Sequence, residues 1–305
     1  MDLLKINKRY SFFLLLFNVI FLISFSKVLE NQQIELQYQA IICFFLISII
    51  GVSHGALDHL KGYKLMEVYK IQNKSFFYLA YIALSLLVIF IWLIFPEFVL
   101  LFFLLVASYH FGKEDSCVEQ NTKNIIYDVL YLFKGSVIIT APLLFHGEKT
   151  IEIFQILNLN LSFLENNFLI LMIFFSFIAN IILTVQSNNG GFLLADWTNI
   201  ILLNVFLSPL IAFTIYFCFL HSVRHSLSLI YEIDSNNFKV GLRKFIKKAL
   251  PLTLITLLIF LVSLYFLANY NVFNDAILKV IFIGLASLTF PHILLEYFIE
   301  KNEQT

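Results

Sequence analysis

Residues 198–231 read TNIILLNVFLSPLIAFTIYFCFLHSVRHSLSLIY, an apolar run ending in two histidines four residues apart. The run lacks the strict alternation of a barrel strand, so it is helical, and it is longer than one crossing of a hydrocarbon core of about 30 Å requires. Proline breaks the helical hydrogen-bond ladder, so a division near Ser208-Pro209 makes two crossings of it. If helix continues to the end, His221 and His225 stack on one face at a spacing that suits metal ligation.

The rest of the chain agrees with this reading. Of 305 residues 60% are hydrophobic and 13% charged, with 36 Phe, which is too little polar surface to cover a soluble domain. The expected fold is an all-α polytopic membrane bundle of about ten transmembrane helices, at 10–28, 37–57, 76–95, 97–113, 125–145, 166–186, 197–211, 212–232, 249–268 and 274–298. Segment 147–165, with Glu148, Lys149, Glu152 and several Asn, is expected as a surface loop with an interfacial turn. No repeat, low-complexity tract or linker divides the chain, so residues 1–305 are expected as a single integral membrane domain. Lys5, Lys8 and Arg9 precede the first apolar run without a small-residue cleavage site after it, which marks a retained helix. Cys43, Cys117 and Cys218 have no CxxC spacing, and neither a disulfide framework nor a thiolate zinc site is expected. Net charge is zero and no basic patch points to nucleic acid; the expected surroundings are the lipid bilayer.

Cytoplasmic loops carry the excess of lysine and arginine. With ten spans and the N-terminus inside, the outer segments hold only Lys27 and Lys149, while Lys61, Lys113, Lys123, Arg224, Arg243 and the other basic residues of the loops fall inside. Both termini are therefore expected to be cytoplasmic. The same topology sorts the histidines by depth. His54, His110, His221, His225 and His292 fall near the cytoplasmic ends of four helices, whereas His59 lies in a cytoplasmic loop and His146 at the opposite face.

A single buried histidine is ordinarily a structural group, but five at one level on four helices point to a shared site, as bundles build metal centres from facing side chains. Asp58 lies one turn from His54 as an acceptor for it, and Glu296 one turn from His292 as a fifth ligand or, the preferred reading, a group that holds a ligand in place. Gly51 and Gly55 form a GxxxG that suits close helix approach with or without a site. Glu114 and Asp115 are expected as solvated loop charge, and Arg224 as snorkelling or meeting a carboxylate. Lys134, near the middle of the fifth helix, is expected in an ion pair or snorkelling, with a retinal Schiff base as the rarer use. The many Phe residues serve lipid contact and packing, or line a tunnel for a polyene.

Imidazole ligands suit iron, zinc, copper or nickel, and spacing alone does not choose among them. HExxH and the Gly-rich phosphate loop are both missing. A membrane transporter or channel moving protons or metal ions through the histidines remains the alternative to an enzyme.

The order GxxHGxxD at Gly51 to Asp58, SYHFGxxD at Ser108 to Asp115, HxxRH at His221 to His225 and PH at Pro291-His292 resembles the Brp/Blh family of bacterial and archaeal β-carotene 15,15′-dioxygenases. The resemblance covers residues 45 to 298 and leaves the first helix outside. It implies an iron(II) enzyme of the bacterial inner membrane that cleaves the central double bond of β-carotene with O2 to give two retinal molecules, with a functional link to a retinal-binding rhodopsin. It also implies His54, His110, His221 and His225 as the catalytic iron ligands, with His292 in a supporting role beside Asp58 and Glu296.

Overall fold

The computed structural model describes residues 3–31, 35–116, 124–186 and 191–303; Cys117 and Lys123 lie outside them. With no water in a hydrocarbon core to satisfy peptide groups, each apolar run closes its own hydrogen bonds as helix. The helices are α1 (Leu3–Asn31), α2 (Leu36–Val68), α3 (Ser75–Ile94), α4 (Pro96–Glu114), α5 (Ile125–Phe145), α6 (Gly147–Ile156), α7 (Asn166–Gln186), α8 (Gly191–Phe206), α9 (Pro209–Ile233), α10 (Phe238–Ala268) and α11 (Phe273–Glu303). Among the described residues nine are long and apolar enough to cross a membrane, one fewer than the ten expected, the expected span at 197–211 meeting the shorter apolar α8, and no strand occurs.

Proline sets two of the breaks, standing in the first turn of α4 and of α9, where its missing N–H costs nothing. Segment 147–165 departs from the expected loop: its first half is α6, which buries Thr150, Ile153 and Phe154 against the bundle. Polar residues on the outer face of so short a helix give it a loop-like composition. The first turn of α6 is tied to the end of α5, because Thr150 Oγ1 donates to the Pro142 carbonyl at 2.9 Å.

Two helices are irregular where they carry histidine. In α2 a π-helical stretch, Ile47–Gly51, passes into a 3-10 stretch, Val52–Leu57, that holds His54; in α9 a π stretch, Tyr216–Ser222, holds His221. Such turns re-aim side chains and are frequent at functional sites. The two meet, since Ser222 Oγ donates to the Gly51 carbonyl at 2.9 Å.

Helices α4 and α5 approach to backbone contact. A Cβ at Gly112 would collide with the Tyr131 carbonyl and one at Gly135 with the Ser108 carbonyl, so each helix presents a glycine to the other's backbone. Gly135→Ala is expected to destabilise the detergent-solubilised chain by about 1–3 kcal/mol, the range for overpacking, and to lower its unfolding midpoint. An unchanged midpoint would show that the two helices separate freely.

The chain ends share one face of the bundle. Near the start of α1, Ser11 accepts from Arg224 of α9 at 2.6 Å, and near the end of α11 Glu300 pairs with Lys113 of α4 at 2.6 Å. Helix α1 is further joined to the bundle by Asn18 donating to Asn199 at 2.8 Å and by the Tyr10 hydroxyl on the Phe219 carbonyl.

Candidate metal centre

Five histidines converge at that face: His54 from the 3-10 turn of α2, His110 from α4, His221 and His225 from α9, and His292 from α11, all buried. His54 has its ring centre 5.3 Å from that of His221, 5.2 Å from His225 and 5.6 Å from His292. His110 lies 5.6 Å from His221 and 5.3 Å from His292, and His225 lies 5.7 Å from His292. A metal–nitrogen bond of about 2.1 Å puts a ring centre about 3.2 Å from the ion, so rings in tetrahedral relation lie about 5.2 Å apart. The observed spacings gather the five imidazoles into one cluster, within which ligand atoms of His110, His292 and Glu296, and of Glu114, His225 and Glu296, lie close enough together to share a cation. Neither His59 nor His146 joins them. His59 bonds the Ala56 carbonyl and faces Tyr63 and Tyr78, and His146 follows the end of α5, at the opposite end of the bundle.

Carboxylates hold three of the rings by Nδ1. Asp115, capping the end of α4, sits 3.1 Å from His221 Nδ1 and accepts from the Tyr216 hydroxyl at 2.6 Å. Glu114 lies 3.3 Å from His225 Nδ1. Asp58 is brought to His292, 2.9 Å from its Nδ1, rather than to His54 on its own helix, and accepts from the Tyr81 hydroxyl at 2.9 Å. A carboxylate on Nδ1 fixes the tautomer and aims Nε2, the usual arrangement behind a metal-bound histidine. The Nε2 atoms of His221, His225 and His292, with Nδ1 of His54, are buried and have no hydrogen-bond partner. An unsatisfied buried nitrogen costs about 1–3 kcal/mol, and lone pairs gathered in this way suit a divalent ion that takes nitrogen donors.

The charges agree with such an ion. Glu296 receives Lys61 Nζ at 3.0 Å and reaches within 3.9 Å of His110. Arg224, buried between the paired histidines, donates to Asp196 of α8 at 2.7 Å and to the Asp115 carbonyl at 3.3 Å. Lys134 donates to the Gly112 carbonyl at 3.1 Å and lines a small cavity with Asp115 and Asp196. Five carboxylates, Asp58, Glu114, Asp115, Asp196 and Glu296, thus face three cations, Lys61, Lys134 and Arg224. With neutral imidazoles this leaves two negative charges for a divalent cation.

Glu114 and Asp115 are therefore not solvated loop charge, because Glu114 pairs with His225 and Asp115 with His221, Tyr216 and Arg224. Asp196 and Tyr81 carry no motif in the sequence; an acid within an apolar run, as Asp196 is, is the signal that marks such a residue.

The centre separates two cavities. On one side an apolar space is walled by Phe103, Phe111, Ile138, Phe154, Phe217 and Phe282, and the rings of Phe111 and Phe217 have their centres 4.6 and 5.9 Å from that of His221. On the other a polar space of about 1230 Å³ is lined by Lys61, Glu114, His221, His225 and Glu296.

A family model described as beta-carotene 15,15′-dioxygenase matches residues 45–300. The chain belongs to the β-carotene 15,15′-dioxygenase family. A beta-carotene 15,15′-dioxygenase from uncultured marine bacterium 66A03 is 30% identical over 259 residues, covering 83% of this chain and 91% of that protein. No solved structure matches. The region shared with the dioxygenase family holds all five histidines and their carboxylates, and leaves out α1.

Proposed function

We propose that the chain cleaves the central 15,15′ double bond of β-carotene with O2, yielding two retinal molecules, at an iron(II) ion held by His54, His110, His221 and His225. The observation that carries this is the junction itself: imidazoles with aimed nitrogens between an apolar cavity and a polar one, in a chain of this family. Iron, when bound, supplies the activation of O2. The protein's own part is binding and orientation. Phe111 and Phe217, against His221, present polyene-compatible walls beside the ring of histidines, and the apolar lining keeps water from the polyene. Asp115 and Glu114 hold the two imidazoles of α9 so that their Nε2 atoms face inward.

Conduction of protons or metal ions has less support, because none of the residues walling the apolar cavity is ionisable and a relay would stop there. A Schiff base on Lys134 likewise has less support, because its Nζ donates to the Gly112 carbonyl at 3.1 Å and the cavity beside it is small. The expected membrane is the bacterial inner membrane, and the expected partner by function is a retinal-binding rhodopsin.

Expression in bacteria that make β-carotene tests the reading. The colonies are expected to lose colour and accumulate retinal. Iron-loaded, membrane-inserted protein that leaves the carotene intact would overturn it.

A further inference from the structure

We infer that His292 is itself a metal ligand, presented by Asp58 and Tyr81. This rests on the metal-centre reading above and goes beyond its four histidines.

The centre contains two copies of one construction. In the first, the Tyr216 hydroxyl donates to Asp115 at 2.6 Å, Asp115 faces Nδ1 of His221 at 3.1 Å, and Nε2 of His221 is buried without a hydrogen-bond partner. In the second, the Tyr81 hydroxyl donates to Asp58 at 2.9 Å, both Asp58 oxygens lie 2.9 Å from Nδ1 of His292, and Nε2 of His292 is buried without a hydrogen-bond partner. Tyr81 lies 3.2 Å from the Leu288 carbonyl, one turn before His292, so it also sets the helix that carries the ring. An anion on Nδ1 leaves Nε2 as the lone-pair nitrogen. What aims His221 at an ion aims His292 as well.

Position agrees with chemistry. His292 has ring contacts with three of the other histidines, at the same separations that those show among themselves. A nitrogen of His292, one of His110 and an oxygen of Glu296 lie within 4.8 Å of one another, close enough to share a cation. The competing account makes His292 an imidazolium between Asp58 and Glu296. Against it, Glu296 Oε1 stands 3.6 Å from Nε2, too far for a hydrogen bond, and already receives Lys61 at 3.0 Å.

The test uses full-length protein in detergent with Co(II) as the probe, read by affinity and by its visible d–d absorption. His292→Gly is expected to weaken Co(II) binding at least about 100-fold and shift the bands, with added imidazole restoring both; Asp58→Asn is expected to weaken binding about 10–100-fold. His292→Lys separates the two accounts while keeping a cation between Asp58 and Glu296. It loses Co(II) binding if His292 is a ligand and keeps wild-type affinity and spectrum if His292 is only an ion-pair partner, which would overturn the inference. Folded His292→Gly with a wild-type spectrum would do the same. Wild-type protein that binds Co(II) and iron yet leaves β-carotene uncleaved defeats the catalytic proposal alone.

Discussion

His221→Ala and His225→Ala are each expected to abolish carotene cleavage and to strip the purified protein of iron. Removing a group that merely orients a metal ligand costs about 10–100-fold in affinity, so removing the ligand costs at least about 100-fold. Each ring is buried, has a carboxylate on Nδ1, and offers an Nε2 with no hydrogen-bond partner. Alanine removes the donor and leaves Asp115 or Glu114 facing the gap, a change within the site and not in the bundle's packing. Iron measured by elemental analysis on protein eluting as a single species checks the result. Full iron content in both variants would remove the two histidines of α9 from the ligand set, whatever happened to turnover.

Arg224→Met is expected to unfold the bundle most readily. Breaking a buried ion pair from one side costs about 3–5 kcal/mol, because the partner charge stays buried. Arg224 is 2% exposed, donates to Asp196 at 2.7 Å and Ser11 at 2.6 Å, and lies over the Phe192 ring at 5.4 Å. It therefore links α9 to α8 and α1 while supporting Asp115 behind His221. Adding Asp196→Asn to Arg224→Met is expected to recover most of the thermal stability, since the stranded charge is gone, but not the metal affinity, since Asp115 remains released. A single variant with the wild-type unfolding midpoint would mean that Lys134 alone balances both aspartates.

The role of Arg224 shows where sequence reading stops. Its expected end points were a carboxylate or the membrane surface, and nothing in HSVRH names Asp196, 28 positions away, as the partner. The same holds for Asp58, whose sequence neighbour is His54 and whose hydrogen-bonded neighbour is His292, 234 positions away. Helical periodicity relates residues within one helix, and these pairs join different helices. The irregular turns at Ile47–Leu57 and Tyr216–Ser222 add a further rotation that ideal helical spacing does not contain. Helix α6 was hidden for a different reason, as ten residues with charges on the outer face carry too short an apolar pattern to distinguish from a loop.

What the sequence by itself determined is the set of crossings and the common depth of five histidines. Apolar runs that cross a bilayer without the alternation of barrel strands close their backbone hydrogen bonds as helix. What only the tertiary structure decided is which carboxylate stands behind which imidazole, and that Glu114 and Asp115 belong to the site. Those pairings depend on how each helix is rotated and how closely it approaches its neighbours. Contacts such as Gly112 and Gly135 against opposing backbone set that approach, and no single helix contains that information.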